Sequence, residues 1–238
     1  AIGFTPFDIS SAGVHGSEEW RRRARQFAYA PIAFPPPPPP ITFVDDFEDG
    51  ASTRAPANAD VHVEGKGDAI CLTDETAASG KRALRIADAP GLTYGFNPHF
   101  FYRPRHEEGV STLSFDLRIE EGTKMYHEWR QYPGKPYFYT GPSFRVAQGK
   151  LRVGERELLT LPLGTWVHIE IQAGHGKEAT GTWTLRVTVP GGAPAAFADL
   201  PNGSPETTKA TWIGFVSDSL EKATFFLDNI RLDSSLDR

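Results

Sequence analysis

The chain has 238 residues and a net charge of −5, so no excess of positive charge argues for a nucleic-acid or anionic-membrane partner. Aromatic residues make up 12%, with 16 Phe and 5 Trp, enough to build a sizeable core, while 23 Gly and 20 Pro imply many turns; a disordered chain is excluded. No run of about 18 apolar residues occurs, which predicts no membrane-spanning helix, and the single cysteine, Cys71, cannot form an internal disulfide and reads as a small buried hydrophobe.

Residues 1–16 show neither helical nor strand periodicity, yet carry Ile2, Phe4, Phe7, Ile9 and Val14, side chains that something must cover. Ser17, Glu18 and Glu19 followed by WRRRARQFA read as a capped helix over 17–28: a hydroxyl at the N-cap, acids in the first turn and cations later, all in sympathy with the macrodipole. Trp20, Ala24 and Phe27 make one apolar stripe among Arg21, Arg22, Arg23 and Arg25, a solvated face rather than a basic docking patch. The prolines at 35–40 favour polyproline II and predict a stiff spacer rather than a signalling ligand. The expected division is therefore a tail and helix over 1–34, a linker over 35–40 and one domain over 41–238. A chain that opens at Ala1 with no leader is expected to start inside a longer precursor.

From Ile41 onward short alternating segments are divided by Gly, Pro, Asn and Asp. The expected strands are 42–47, 59–64, 69–73, 82–87, 93–96, 100–103, 111–120, 124–131, 143–147, 150–153, 157–160, 166–173, 182–189, 195–200, 211–217 and 223–232. In the seventh of these, Leu113, Phe115, Leu117 and Ile119 share one face; Trp183, Leu185, Val187 and Val189 do so in 182–189. With no long helix between strands, parallel βαβ units are excluded, and the expected fold is all-β, a two-sheet antiparallel β-sandwich of jelly-roll type with a short N-terminal helix.

The stretch MYHEWRQYPGKPYFYTGPSFR at 125–145 looks most like a binding surface. Alternation puts Tyr126, Glu128, Arg130 and Tyr132 on one face and Met125, His127, Trp129 and Gln131 on the other. Pro133-Gly134 turns the chain, Tyr137, Phe138 and Tyr139 return beside it, and Gly141-Pro142 is expected to break the pairing. Ring faces stack on pyranose C–H surfaces while charged groups hydrogen-bond hydroxyls, so a sugar cleft and a core strand with paired polar groups both fit. The expected ligand-binding residues are Tyr126, Glu128, Arg130, Tyr137 and Tyr139, with His99, Tyr102 and Arg145 as secondary lining.

The β region resembles the concanavalin-like and jelly-roll carbohydrate-binding modules of large secreted polysaccharide-degrading proteins, over roughly Thr42 to Leu232. The similarity rests on DDFEDG at 45–50, SGKRALRI at 79–86 and FFLDNIRL at 225–232. It implies a structural Ca2+ held by Asp46, Glu48 and Asp228 with a backbone oxygen of Lys81, a hard oxygen donor set; the alternative is that these acids pair with Arg82, Arg231 or turn amides. The opening GFTPFDISSAGVHGSEEW is similar, over a shorter length, to the closing residues of right-handed parallel β-helix carbohydrate enzymes, which implies an attached catalytic domain and an extracellular or cell-surface setting.

A catalytic reading is weaker. No Glu-x-Asp-x-x-Glu sequence of the jelly-roll glucanase type is present, and zinc spacing, serine-nucleophile and phosphate-loop fingerprints are absent. Tyr126, His127, Arg130, Gln131, Tyr139 and Arg145 supply the residue types of a uronate lyase without fixing their arrangement. The expected function is thus a non-catalytic module that targets an attached enzyme to its glycan. The alternatives are a small polysaccharide lyase or glycoside hydrolase using the same cleft, or a structural domain that docks on its own enzyme.

Overall fold

The computed structural model describes residues 13, 15–26, 34, 38–48, 56, 58–135 and 137–235. The chain divides into two compact units, Ala1–Pro38 and Pro39–Arg238. In the first, helix α1 spans Glu18–Arg25 with Ser17 as N-cap, its hydroxyl accepting from the amide of Trp20 at 3.4 Å. None of its residues is buried, and Trp20 is 68% exposed. The tail side chains at 2, 4, 7, 9 and 14, the last helical turn expected at 27–28 and the prolines at 35–37 lie outside the described residues.

The second unit is a β-sandwich. Its described residues form β1 (Phe43–Asp45), β2 (Asp60–His62), β3 (Ala69–Thr73), β4 (Ala83–Asp88), β5 (His99–Tyr102), β6 (Gly109–Ile119), β7 (Lys124–Gln131), β8 (Tyr139–Ala147), β9 (Lys150–Val153), β10 (Arg156–Thr160), β11 (Trp166–His175), β12 (Thr182–Thr188), β13 (Ala195–Pro201), β14 (Trp212–Ser217) and β15 (Ala223–Ser234). One sheet runs β13-β12-β11-β6-β15-β4-β3, with β1 also on β15; the other runs β10-β9-β8-β7-β14-β5-β2, and every pairing is antiparallel.

Alternation sets what lies between the sheets. Leu113, Phe115, Leu117 and Ile119 of β6 are buried against one another's neighbours Val167, Ile169 and Ile171 of β11 and Leu185 and Val187 of β12. The second sheet contributes Phe100 and Tyr102 of β5, Met125 and Trp129 of β7, Phe144 and Val146 of β8, and Ile213 and Phe215 of β14 to the same core. Fully removing such side chains from water stabilises by roughly 1.5–3 kcal/mol each, which is why the period-two pattern overrides local propensity here.

Two expectations change. Residues 93–96 are a turn rather than a strand, part of a loop that leads into β5. Gly141-Pro142 does not end the pairing: β8 begins at Tyr139 and passes through both residues, and the register against β7 shifts between Glu128 and Arg130. A bulge accommodates a proline that cannot donate to a ladder.

The core also holds polar groups. His127, fully buried among Phe115, Phe144 and Phe215, accepts from the indole N–H of Trp129 at Nε2, 3.0 Å. Ser111 lies between His106 Nδ1 at 2.6 Å and His175 Nε2 at 2.8 Å, and His106 Nε2 reaches the carbonyl of Ile41 at 2.8 Å. Burial pushes His127 down to about 3, and burial together with neighbouring His106 pushes His175 down to about 4.

Both imidazoles are neutral in the folded protein and take up protons near 6.5 once unfolded, so stability is full above that pH and falls as pH drops from about 6.5 toward 4. His168, raised by its hydrogen bond to Asp116, contributes in the opposite sense and only above that window. Thermal melts from pH 8 to 4.5 should give a Tm that is highest near 6.5, declining slightly above it as His168 loses its proton and progressively below it as the unfolded histidines gain theirs; a Tm that does not fall between 6.5 and 4.5 would contradict this assignment.

Candidate functional site

The outward face of the second sheet is a cleft of about 990 Å³, at the upper end of the range of about 300–1,000 Å³ for small-molecule sites. Strand order builds it: β2, β5, β14 and β7 lie side by side, and their outward positions bring His62, His99, Phe101, Trp212, Val216, Tyr126 and Arg130 onto one surface. Gly214, between Phe101 and Glu128 in the ladder, carries no side chain, and the Trp212 indole occupies the space that its Cβ would take.

The rings form a continuous row. His62 and His99 stack with centroids 4.5 Å apart and planes 6° from parallel; Phe101 is 6.2 Å from His99 and 5.2 Å from Trp212. The Arg130 guanidinium then lies 4.2 Å from the Trp212 ring and 4.4 Å from that of Phe138. Exposed aromatics flank the row on two loops: Tyr94 and Phe96 on one side, Tyr132 and Tyr137 on the other.

Charges on this face are matched in pairs. Arg130 is ion-paired with Glu128 and donates to the Tyr132 hydroxyl at 3.2 Å, Arg103 donates to Asp60 at 2.7 Å, and Arg145 to Asp218 at 3.1 Å. Among the described lining residues the one carboxylate is Glu64. Its partial desolvation is outweighed by the amides of Thr93 and Tyr94, the Lys66 ammonium and the Asn97 side chain, which hold it well below the usual carboxylate range. Burial, His62 and Arg130 push His99 down to about 4 against a backbone hydrogen bond with Phe96. Burial and nearby Glu128 raise the Tyr126 phenol.

Of the residues expected from sequence, Tyr126, Arg130, Tyr137 and His99 line this cleft. Glu128 is buried and its carboxylate is taken by Arg130. Arg145 is exposed, with its guanidinium 4.8 Å from the Tyr126 ring, outside the lining set. Tyr139 pairs with Gln131, on the side of the ladder opposite Arg130, so it faces away. Tyr102 is corrected: it is 0% exposed in the core, because alternation from His99 and Phe101 turns it inward, where burial and Asp45 raise its phenol well above its ordinary value. Trp212, His62, Glu64 and Asn97 were missed. A glycine inside a strand signals close approach of another group, so the sequence TWIGFVS at 211–217 held a clue to Trp212; nothing local marks His62.

Of the residues expected to bind calcium, Glu48 and Asp228 meet the 78–82 loop that carries Lys81, while Asp46 is engaged by Glu48. Glu48 Oε1 accepts from the amides of Lys81 and Arg82, both at 2.8 Å; buried Asp228 accepts from Ala78 at 2.8 Å, Ser79 at 3.1 Å and Asn229 at 2.8 Å; Asp46 accepts from Glu48 at 3.1 Å. The two amides lower Glu48, while burial raises Asp228. The donor type suits a hard cation, yet these oxygens are engaged by N–H groups, and among the described residues no three His, Cys, Asp or Glu gather to hold a metal ion.

The fold is that of a two-sheet antiparallel β-sandwich. No family model matches the chain, and no curated protein sequence matches it. Among solved structures it is similar to an endo-β-1,4-glucuronan lyase from the fungus Trichoderma reesei (12% identity, 82% of this chain and 95% of that one, TM-score 0.57). It is also similar to the cellulose-induced protein Cip1 (16%, 81% and 97%, 0.54) and to alginate lyase Aly36B (10%, 82% and 98%, 0.51). At these identities the likeness is one of fold.

Gly214→Ala tests the floor of the cleft directly. The new Cβ would collide with the Trp212 indole and force it off the sheet, so ligand affinity should fall roughly tenfold or more, the usual effect of losing a packed aromatic anchor, while far-ultraviolet circular dichroism stays that of the wild type. An unchanged affinity would show that Trp212 takes no part.

Proposed function

We propose that this cleft binds a stretch of polysaccharide without cleaving it. The observation that carries the reading is the row His62, His99, Phe101 and Trp212, flanked by exposed aromatics, on a face whose arginines are already paired with carboxylates. Flat rings offer sugar C–H faces an apolar platform, here the Trp212 indole over Gly214 with Phe101 beside it, while the edges of the stacked histidines and the paired polar groups offer hydroxyls fixed partners. Hydrolysis needs two carboxyl groups about 5–10 Å apart, one kept protonated by its surroundings; Glu64, the lining carboxylate, is held ionised instead.

A second reading, β-elimination from a uronate polymer, is favoured by the lyases of like fold and by a neutral His99 and Tyr126 lining the same cleft across β14, a base and a proton donor on one face. Against it stands the pairing of Arg103 and Arg130, which leaves neither free to neutralise a uronate carboxylate. The short similarity of residues 3–20 to the end of β-helix enzymes supports attachment to a catalytic domain, and with it an extracellular setting.

Incubation with cellulose, xylan, glucuronan and alginate distinguishes these readings. Binding predicts retention on one of them with no product; elimination predicts new unsaturated ends that absorb in the ultraviolet; neither result would mean that the face only docks on protein. Structural Ca2+ beside Asp46, Glu48, Lys81 and Asp228 is a separate proposal, supported by the burial of Asp228 and the clamp on the 78–82 loop. Such an ion stabilises only the folded state, so chelation should lower Tm, and an unchanged Tm would remove it.

A further inference from the structure

Glu64 touches more than the cleft wall. Its Oε2 accepts from the Thr93 amide at 2.7 Å and the Lys66 ammonium at 2.9 Å; its Oε1 accepts from the Tyr94 amide at 2.9 Å and from Asn97 Nδ2 at 3.0 Å. Lys66 also donates to the Thr93 hydroxyl at 2.7 Å. One carboxylate, 11% exposed, therefore fastens the loop that carries Tyr94 and Phe96.

The same carboxylate dictates a proton position one residue further on. An ionised carboxylate only accepts, so Asn97 must turn its NH2 toward Glu64 and its carbonyl oxygen away. That oxygen lies 2.9 Å from Nδ1 of His99. A carbonyl oxygen cannot donate, so Nδ1 must carry the hydrogen, and in a neutral imidazole Nε2 is then a bare acceptor. His99 lines the cleft and stacks on His62, which leaves its ring edge, not its face, to meet a ligand.

We propose that Glu64 and Asn97 are positioning residues that hold His99 as the Nδ1–H tautomer, so that Nε2 serves as the cleft's acceptor for a sugar hydroxyl. The role toward sugar rests on the glycan-binding reading above; the tautomer does not. His99 stays uncharged down to about pH 4, so the lone pair is present throughout the neutral range. Without the relay, the ring could present an N–H to the cleft and repel the same hydroxyl hydrogen.

The test is long-range proton–nitrogen NMR on the full chain labelled with 15N-histidine, with the His99 signals assigned by their loss in His99→Gln. The wild type at pH 7 should show protonated Nδ1 and bare Nε2 at His99. Asn97→Leu removes the oxygen and should give a tautomer mixture. The pair Glu64→Gln with Asn97→Asp reverses the polarity of the first link but keeps an acceptor at His99; because a carboxylate beside Nδ1 also favours the imidazolium, the pair is read on the alkaline side of the ring's titration, where it should restore the Nδ1–H form. For whichever of cellulose, xylan, glucuronan or alginate oligosaccharides is retained, affinity should fall about threefold to tenfold in Asn97→Leu, the effect of one hydrogen bond, and recover in the pair. A wild-type His99 protonated at Nε2 would overturn the proposal, as would an unchanged tautomer in Asn97→Leu. Should Asn97→Leu fail to fold, the wild-type spectrum and the pair still decide it. The correct tautomer with no glycan retained would count against the glycan reading and leave the relay standing.

Discussion

Trp212 lies flat across the backbone of Gly214, and the rest of the candidate site is arranged around that contact. With any Cβ at 214 the indole would have to stand away from the sheet, Phe101 would lose its stacked neighbour and Arg130 one of its two aromatic faces. The row of rings is assembled by strand order rather than by neighbouring sequence. His62, His99, Phe101 and Trp212 come from three strands, β2, β5 and β14, that only the antiparallel ladder sets side by side.

The polar chemistry of the face follows from the same crowding. A guanidinium between two rings is poorly hydrated, so a buried or half-buried arginine needs a carboxylate, and Glu128 supplies it from two residues away on the same face. Arg130 is thereby a strut more than a free hand for a ligand. Glu64 plays a comparable part on the other side, where it joins a turn, a lysine and an asparagine through a single carboxylate. A cleft whose charges are balanced among themselves suits a ligand recognised by shape and hydroxyls, and it has little left over to compensate an unpaired anion.

Much of the architecture was legible because burial on one face imposes period two. Leu113 to Ile119 and Met125 to Gln131 sit as alternation requires, and the absence of long helices sufficed for a two-sheet sandwich. The site was half legible. Tyr126 and Arg130 followed from alternation on β7, whereas Tyr139 was misplaced because the bulge opposite Trp129 could not be counted from sequence. Tyr102 was misplaced for a simpler reason: in HFFY the rings alternate, so His99 and Phe101 face outward only if Phe100 and Tyr102 face in. His62 and Trp212 were out of reach, since the place of His62 beside His99 and of Trp212 beside Phe101 depends on pairings between segments 37 and 111 residues apart, the differences of their sequence numbers. Glu48 and Asp228 both engage the 78–82 loop, but their partners there are amides, a distinction that spacing does not contain.

The most direct measurement is a crystal structure of the full chain soaked with an oligosaccharide of the polysaccharide it retains. The account predicts intact sugar rings stacked on the Trp212 and Phe101 faces, between Tyr94 and Tyr137, with a hydroxyl directed at His99. Sugar bound on the outer face of the other sheet, or cleaved in the cleft, would contradict it.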